Sequence, residues 1–185
     1  MSDRIVVEQG SPTLAGLKPA SLFSLFFDGP VREVYAEIRR INEILVPKGL
    51  RFLPLSITGN RALMFLYRET ALNLHIVRSD VQEILAGLGY RCRTTAEYIS
   101  EISKRIRSGS DFPHEIGLFL GYPPSDVRAF MQHQCEGCKA VGCWKAYGDE
   151  EEAQRTFDLY KACTKCYCRQ YARGRKLSEL AVATA

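Results

Sequence analysis

The chain has 185 residues, 46% of them hydrophobic and 25% charged, so it falls among ordinary globular proteins and outside the disordered and low-complexity classes. Its formal charge of +4 is mild and disfavours a dedicated nucleic-acid binder. The longest apolar run, Leu22 to Phe27 with Ser24 inside it, is too short to cross a bilayer, and the charged first ten residues exclude a signal peptide. These bounds predict a cytosolic protein without membrane partners. Seven cysteines in a reducing compartment then read as thiols or metal ligands before disulfides.

The expected elements follow in chain order. Residues 12–20 lead into a strand over 21–27. Asp28-Gly29-Pro30 opens a helix with Val31, Val34, Tyr35, Ile38, Ile41 and Leu45 on one face, and Pro47-Lys48-Gly49 stops it. Leu53, Leu55 and Ile57 alternate as in a strand, Gly59-Asn60 turns, and Ala62–Arg68 returns as a hairpin partner. Asp80 with Glu83 and Thr94 with Glu97 spell two capping boxes, each opening a helix. Two short helices near 114–120 and 124–133 flank Gly121-Tyr122-Pro123, Lys139–Tyr147 reads as a last strand, and Asp149 caps a final helix. The fold class is α+β: a small, mostly antiparallel sheet of about four strands, six or so helices and a long C-terminal helix. One domain is expected, strand-rich over 12–70, helical over 78–134, with the last strand and helix over 138–173.

Six cysteines lie between 135 and 168, as Cys135-x2-Cys138-x4-Cys143 and Cys163-x2-Cys166-x-Cys168. Paired Cys-x2-Cys spacings suit zinc, and an iron–sulfur cluster would use the same thiolates. On a helix Cys168 points away from Cys163, so the candidate ligands are Cys135, Cys138, Cys143, Cys163 and Cys166. His133 near Cys135 is a variant of that set. The alternative is that most of these thiols are small buried hydrophobes. On the last helix Phe157, Tyr160, Thr164, Tyr167 and Tyr171 form the inward stripe. Lys161, Lys165, Arg169 and Arg173 form a basic stripe opposite, either a solvated face or a dock for an acidic partner.

His114 and Glu115 at a short helix start are candidates for acid–base work, with a satisfied structural His as the alternative. The helices around Gly121 to Pro124 superficially resemble a helix-turn-helix, but one base on the second helix argues against DNA reading. Phosphate-binding and nucleophile-elbow motifs do not occur in the sequence.

Three blocks, Pro12 to Phe23, Phe112 to Pro123 and Gly142 to Asp149, resemble the signatures of a bacterial family catalogued as domain of unknown function 3793. The resemblance covers nearly the whole chain and implies a single-domain protein of anaerobic bacteria, with redox or metal handling and a flavodoxin-like acidic partner. Two function classes follow. One is an accessory protein holding zinc, an iron–sulfur cluster or a redox cofactor, with Trp144, Lys145 and Tyr147 as cofactor candidates. The other is a small enzyme whose pocket is built from Lys18, His114, Glu115 and Trp144. An interaction module using the basic stripe is a third reading.

Overall fold

The computed structural model describes residues 3–109, 111–134 and 136–183. Its centre is a three-stranded antiparallel sheet in the order β1 (Ala20–Phe26), β3 (Arg61–Arg68), β2 (Leu50–Thr58). The middle strand β3 is covered on both faces, which is why Ala62 and Met64–Arg68 are all buried. Ala62, Met64 and Leu66 point to one layer of helices, whereas Phe65 and Tyr67 point to the other. The expected alternation of Leu53, Leu55 and Ile57 is broken by a bulge between Pro54 and Ser56. Leu53 and Leu55 pack on one face and Ile57 on the other.

The first face carries α1 (Asp3–Leu14), α2 (Val31–Leu45) and α9 (Leu177–Leu180), and the long α8 (Glu150–Ala172) lies along α1. In α2 the buried stripe is narrower than expected. Val34, Ile38, Ile41 and Leu45 are inside, while Val31 and Tyr35 stay 39% and 46% exposed. Pro30, not Asp28, holds the N-cap, and no side chain caps it. Asn42 ties α2 to the sheet, donating to the Phe52 carbonyl at 2.6 Å and accepting from the Phe52 amide at 2.9 Å.

The second face carries α3 (Glu69–Ile76), α4 (Ser79–Gly87), α5 (Thr95–Ser108), α6 (Ile116–Phe119) and α7 (Pro124–His133). Thr94 caps α5 as expected, accepting from the Glu97 amide. The box at Asp80 and Glu83 does not form because the helix starts earlier, with Arg78 at the N-cap; Asp80 lies in the first turn and pairs with Arg78 at 2.7 Å, and Glu83 pairs with Arg128 at 3.0 Å.

The segment read as one last strand is instead a separate two-stranded hairpin, β4 (Ala140–Val141) with β5 (Lys145–Ala146). Gly142, Cys143 and Trp144 form its turn, so the chain reverses where a continuous strand was expected. The hairpin packs on the first half of α8 through Trp144, Ala146, Ala153 and Phe157. Asp149 caps α8, accepting from the Glu152 amide at 2.9 Å. Among the described residues no helix is long and apolar enough to cross a membrane.

Candidate functional site

The three signature blocks, far apart in sequence, meet at one end of the molecule. Pro19 packs so closely on Gly121 that a Cβ there would lie 2.5 Å from its ring, and Gly121 turns at φ +77°. Tyr122, the next residue, stacks on Trp144 with centroids 5.1 Å apart. Trp144 in turn meets Phe157 edge-on at 4.5 Å. Gly142 lies flat against the same Phe157, where an added Cβ would come within 2.4 Å of the ring. These glycines serve close approach between segments as well as turning.

Asp126, on α7, holds the hairpin in place. Its buried carboxylate accepts from the Trp144 indole at 2.8 Å and from the amides of Tyr147 and Gly148 at 3.0 Å each. Sequence reasoning missed this residue. An acid in the first turn of a helix looks like a dipole partner, and nothing local shows that a loop 20 residues later closes on it.

Between α6, α7 and the hairpin lies a cavity of about 310 Å³, lined chiefly by Tyr122, Phe130, Trp144, His114, Lys145 and Cys143. His114 meets the Phe130 ring edge-on at 4.9 Å, and the Lys145 ammonium sits 5.5 Å from that ring's centroid. Four residues singled out from the sequence, His114, Cys143, Trp144 and Lys145, thus share one wall. Tyr147 stands apart, its hydroxyl donating to the Gln134 carbonyl. Glu115 points the other way. It is buried beside Arg105 at 3.4 Å and accepts from the Tyr90 hydroxyl at 3.1 Å, and Arg105 lies over the Tyr90 ring at 4.0 Å. A carboxylate engaged in this way is a core support, so the expected pairing of His114 with Glu115 at one site does not occur.

Lys18 lies against Tyr122 and Tyr160. Its ammonium is 5.1 Å from the Tyr122 centroid and 5.6 Å from that of Tyr160. Among the described residues it makes no hydrogen bond and no ion pair. Burial pushes its pKa down to about 8, only partly opposed by the Cys143 thiol nearby. Burial also raises both tyrosines, Tyr160 to about 12.

Among the described residues the cysteines do not gather as a ligand set. Cys163 and Cys166 sit one turn apart on α8, and Cys163 is raised by burial and by its neighbour. Cys143 is in the hairpin turn, and Cys138 precedes the hairpin. Cys168 packs into the first-face core, and Cys92 packs on the other. Among the described residues no three His, Cys, Asp or Glu side chains converge as metal ligands. Cys135 lies outside the described residues.

A family model matches residues 6–181, the span that contains all three blocks. The chain belongs to that family, described as a protein of unknown function (DUF3793). No curated protein and no solved structure matches the chain.

Proposed function

We propose that the protein binds a compact, flat, anionic small molecule in the cavity beneath the hairpin, with His114 and Cys143 as the groups able to act on it. The observation that carries this reading is the balance of the lining. Three aromatic rings offer flat apolar faces, and His114 and Lys145 supply basic nitrogen. Asp126 is the acid in that lining, and its oxygens already accept three N–H groups. A volume of about 310 Å³ is at the small end of ligand pockets, which limits the ligand to roughly one or two rings.

The chain's single tryptophan is in this wall, so binding has a direct optical signal. Titration with nicotinate or benzoate should change Trp144 fluorescence saturably, and Lys145→Glu should weaken the effect about tenfold or more. A response that stays linear for both anions up to millimolar concentration, or is unchanged in Lys145→Glu, rules the reading out.

A second reading rests on α8. Lys161, Lys165, Arg169 and Arg173 are all exposed, and among the described residues none of them forms an ion pair. Such a stripe supports docking of an acidic protein surface.

A further inference from the structure

We propose that Lys18 is a nucleophilic amine that condenses with a small, flat aldehyde or ketone to form an imine, against the rings of Tyr122 and Tyr160, which also line a groove. That groove measures about 770 Å³ and shares Tyr122, Asp126 and Trp144 with the cavity beneath the hairpin. The proposal does not depend on what that smaller cavity binds.

The placement of Lys18 is the first argument. Its backbone is held on both sides. The Leu17 amide donates to the Pro12 carbonyl at 2.8 Å, the Pro19 carbonyl accepts from the Arg68 amide at 2.9 Å, and the Pro19 ring is pressed on Gly121. The amine is therefore carried on a fixed segment and delivered against two aromatic rings. The amine reaches no carboxylate or carbonyl among the described residues, and its neighbours are the two ring faces. The titratable groups around it are Tyr122, Tyr160 and the Cys143 thiol, with no carboxylate to hold its proton. Desolvation without a counter-charge is one of the means by which proteins make an amine nucleophilic near neutral pH.

The groove supplies the second argument. Besides the two rings it contains His75, whose Nε2 is buried and has no hydrogen-bond partner. Burial lowers the pKa of this imidazole, so it stands neutral, with one nitrogen still to be satisfied. The aromatic faces select a flat body.

The step balances without any redox partner. The neutral Lys18 nitrogen adds to the carbonyl carbon, and the C=O electron pair moves to oxygen. One proton passes from nitrogen to that oxygen. The carbinolamine then loses its hydroxyl and the second nitrogen proton as water, and the nitrogen lone pair closes the C=N bond.

The test uses the intact protein with pyridoxal as the probe aldehyde and cyanoborohydride to reduce any imine to a stable secondary amine, read by peptide mass mapping. Lys161 and Lys165, both exposed, serve as controls within each digest. At pH 8 the adduct at Lys18 should form about tenfold faster than at either control, since a larger fraction of its amine is neutral. Its rate should level off near pH 8, where Lys18 titrates, while theirs keeps climbing. Labelling of Lys18 at or below the rate of the controls, or a rate that climbs in parallel with theirs, overturns the proposal.

Discussion

Two cations, Arg68 fully buried and Lys18 half-buried, divide this molecule into a part built for stability and a part left chemically open. Arg68 is 2% exposed at the end of β3 and donates to the carbonyls of Thr13 at 2.6 Å, Leu14 at 2.5 Å and Val182 at 2.7 Å. It thereby satisfies the C-terminal end of α1 and fastens the last residues to the first helix, where the Val182 amide also donates to Leu14. Lys18 stands four residues beyond that helix end, half-buried, with rings around it and no acceptor. The same kind of charge is fully engaged in one place and unengaged in the other. Satisfied burial gives rigidity, whereas unsatisfied burial gives reactivity, and the rigid part positions the reactive one.

The largest effect is expected from breaking the satisfied side. Arg68→Met removes three hydrogen bonds from a charged donor, although the Thr13 and Leu14 carbonyls keep the Gly16 and Val182 amides, a loss of about 3–5 kcal/mol at roughly 1–2 kcal/mol for each bond. In a chain of this length that lowers the melting temperature by about 10 °C or more, measurable by calorimetry. Arg68→Lys should recover little of it, because a single ammonium cannot match a planar fork spanning three acceptors. A melting temperature within about 3 °C of the parent for Arg68→Met would show that the knot between the chain ends is not a major support.

The junction between the two sides is the next point to break. Gly121→Ala places a Cβ 2.5 Å from the Pro19 ring at a left-handed backbone position. Strain and overpacking together cost about 2–4 kcal/mol. The displaced Pro19 segment should carry Lys18 away from Tyr122, so pyridoxal labelling of Lys18 should fall towards that of exposed lysines even where the protein stays folded. Unchanged labelling in a folded variant would separate the lysine's chemistry from this contact.

How much of this contrast could be read in advance depends on how local each signal is. The long helix, its Asp149 cap, its aromatic stripe and its exposed cations were legible because periodicity and capping act within a few residues. The first helix was not, because Gly10-Ser11-Pro12 reads as a loop. Those residues are small since α1 crosses the sheet there, and a Cβ on Gly10 would meet Leu66 at 2.4 Å. The hairpin reads as one strand for a similar reason: its turn is stabilised by Asp126 and Phe157, both distant in sequence. His114, Trp144, Lys145 and Lys18 could be nominated by residue type. The gathering of His114, Trp144 and Lys145 around one cavity, the seating of Lys18 against the Tyr122 and Tyr160 rings, and the diversion of Glu115 to Tyr90 and Arg105 needed the tertiary structure.

A smaller effect sharpens the unsatisfied side by its pH dependence. The Lys18 amine titrates near 8 in the folded chain and near 10.5 unfolded, so between those values the unfolded state binds more protons. Stability from this group therefore rises with pH from about 8 to 10. Above about 10 the buried tyrosines act in the opposite sense, since Tyr160 holds its proton to about 12 while an unfolded tyrosine has lost it. Lys18→Met keeps most of the side-chain volume and removes the titration. The difference in melting temperature between Lys18→Met and the parent should be largest below pH 8 in favour of the variant, and should shrink by pH 10. A difference that does not vary with pH would mean that the amine is not desolvated.

The smallest effect on stability, and the sharpest contrast with Arg68, belongs to the cations on α8. Lys161, Lys165, Arg169 and Arg173 follow at steps of four, which nearly complete a helical turn, and Phe157 and the tyrosines opposite anchor the helix. Each charge is surrounded by water and has little to gain or lose from its neighbours in the free protein. Lys165→Glu with Arg169→Glu should therefore shift stability by no more than about 0.5 kcal/mol. Its effect should appear in association, because two reversed charges turn attraction for an acidic surface into repulsion. A synthetic helical peptide with glutamates at steps of four is a suitable probe. It should bind the parent at low salt, weaken as ionic strength rises and screening shortens the reach of each charge, and fail to bind the reversed variant. Equal binding by both proteins, or binding that ignores salt, would leave these four cations as a hydrated outer face and confine the chemistry of the molecule to the end where Lys18, Tyr122 and Trp144 meet.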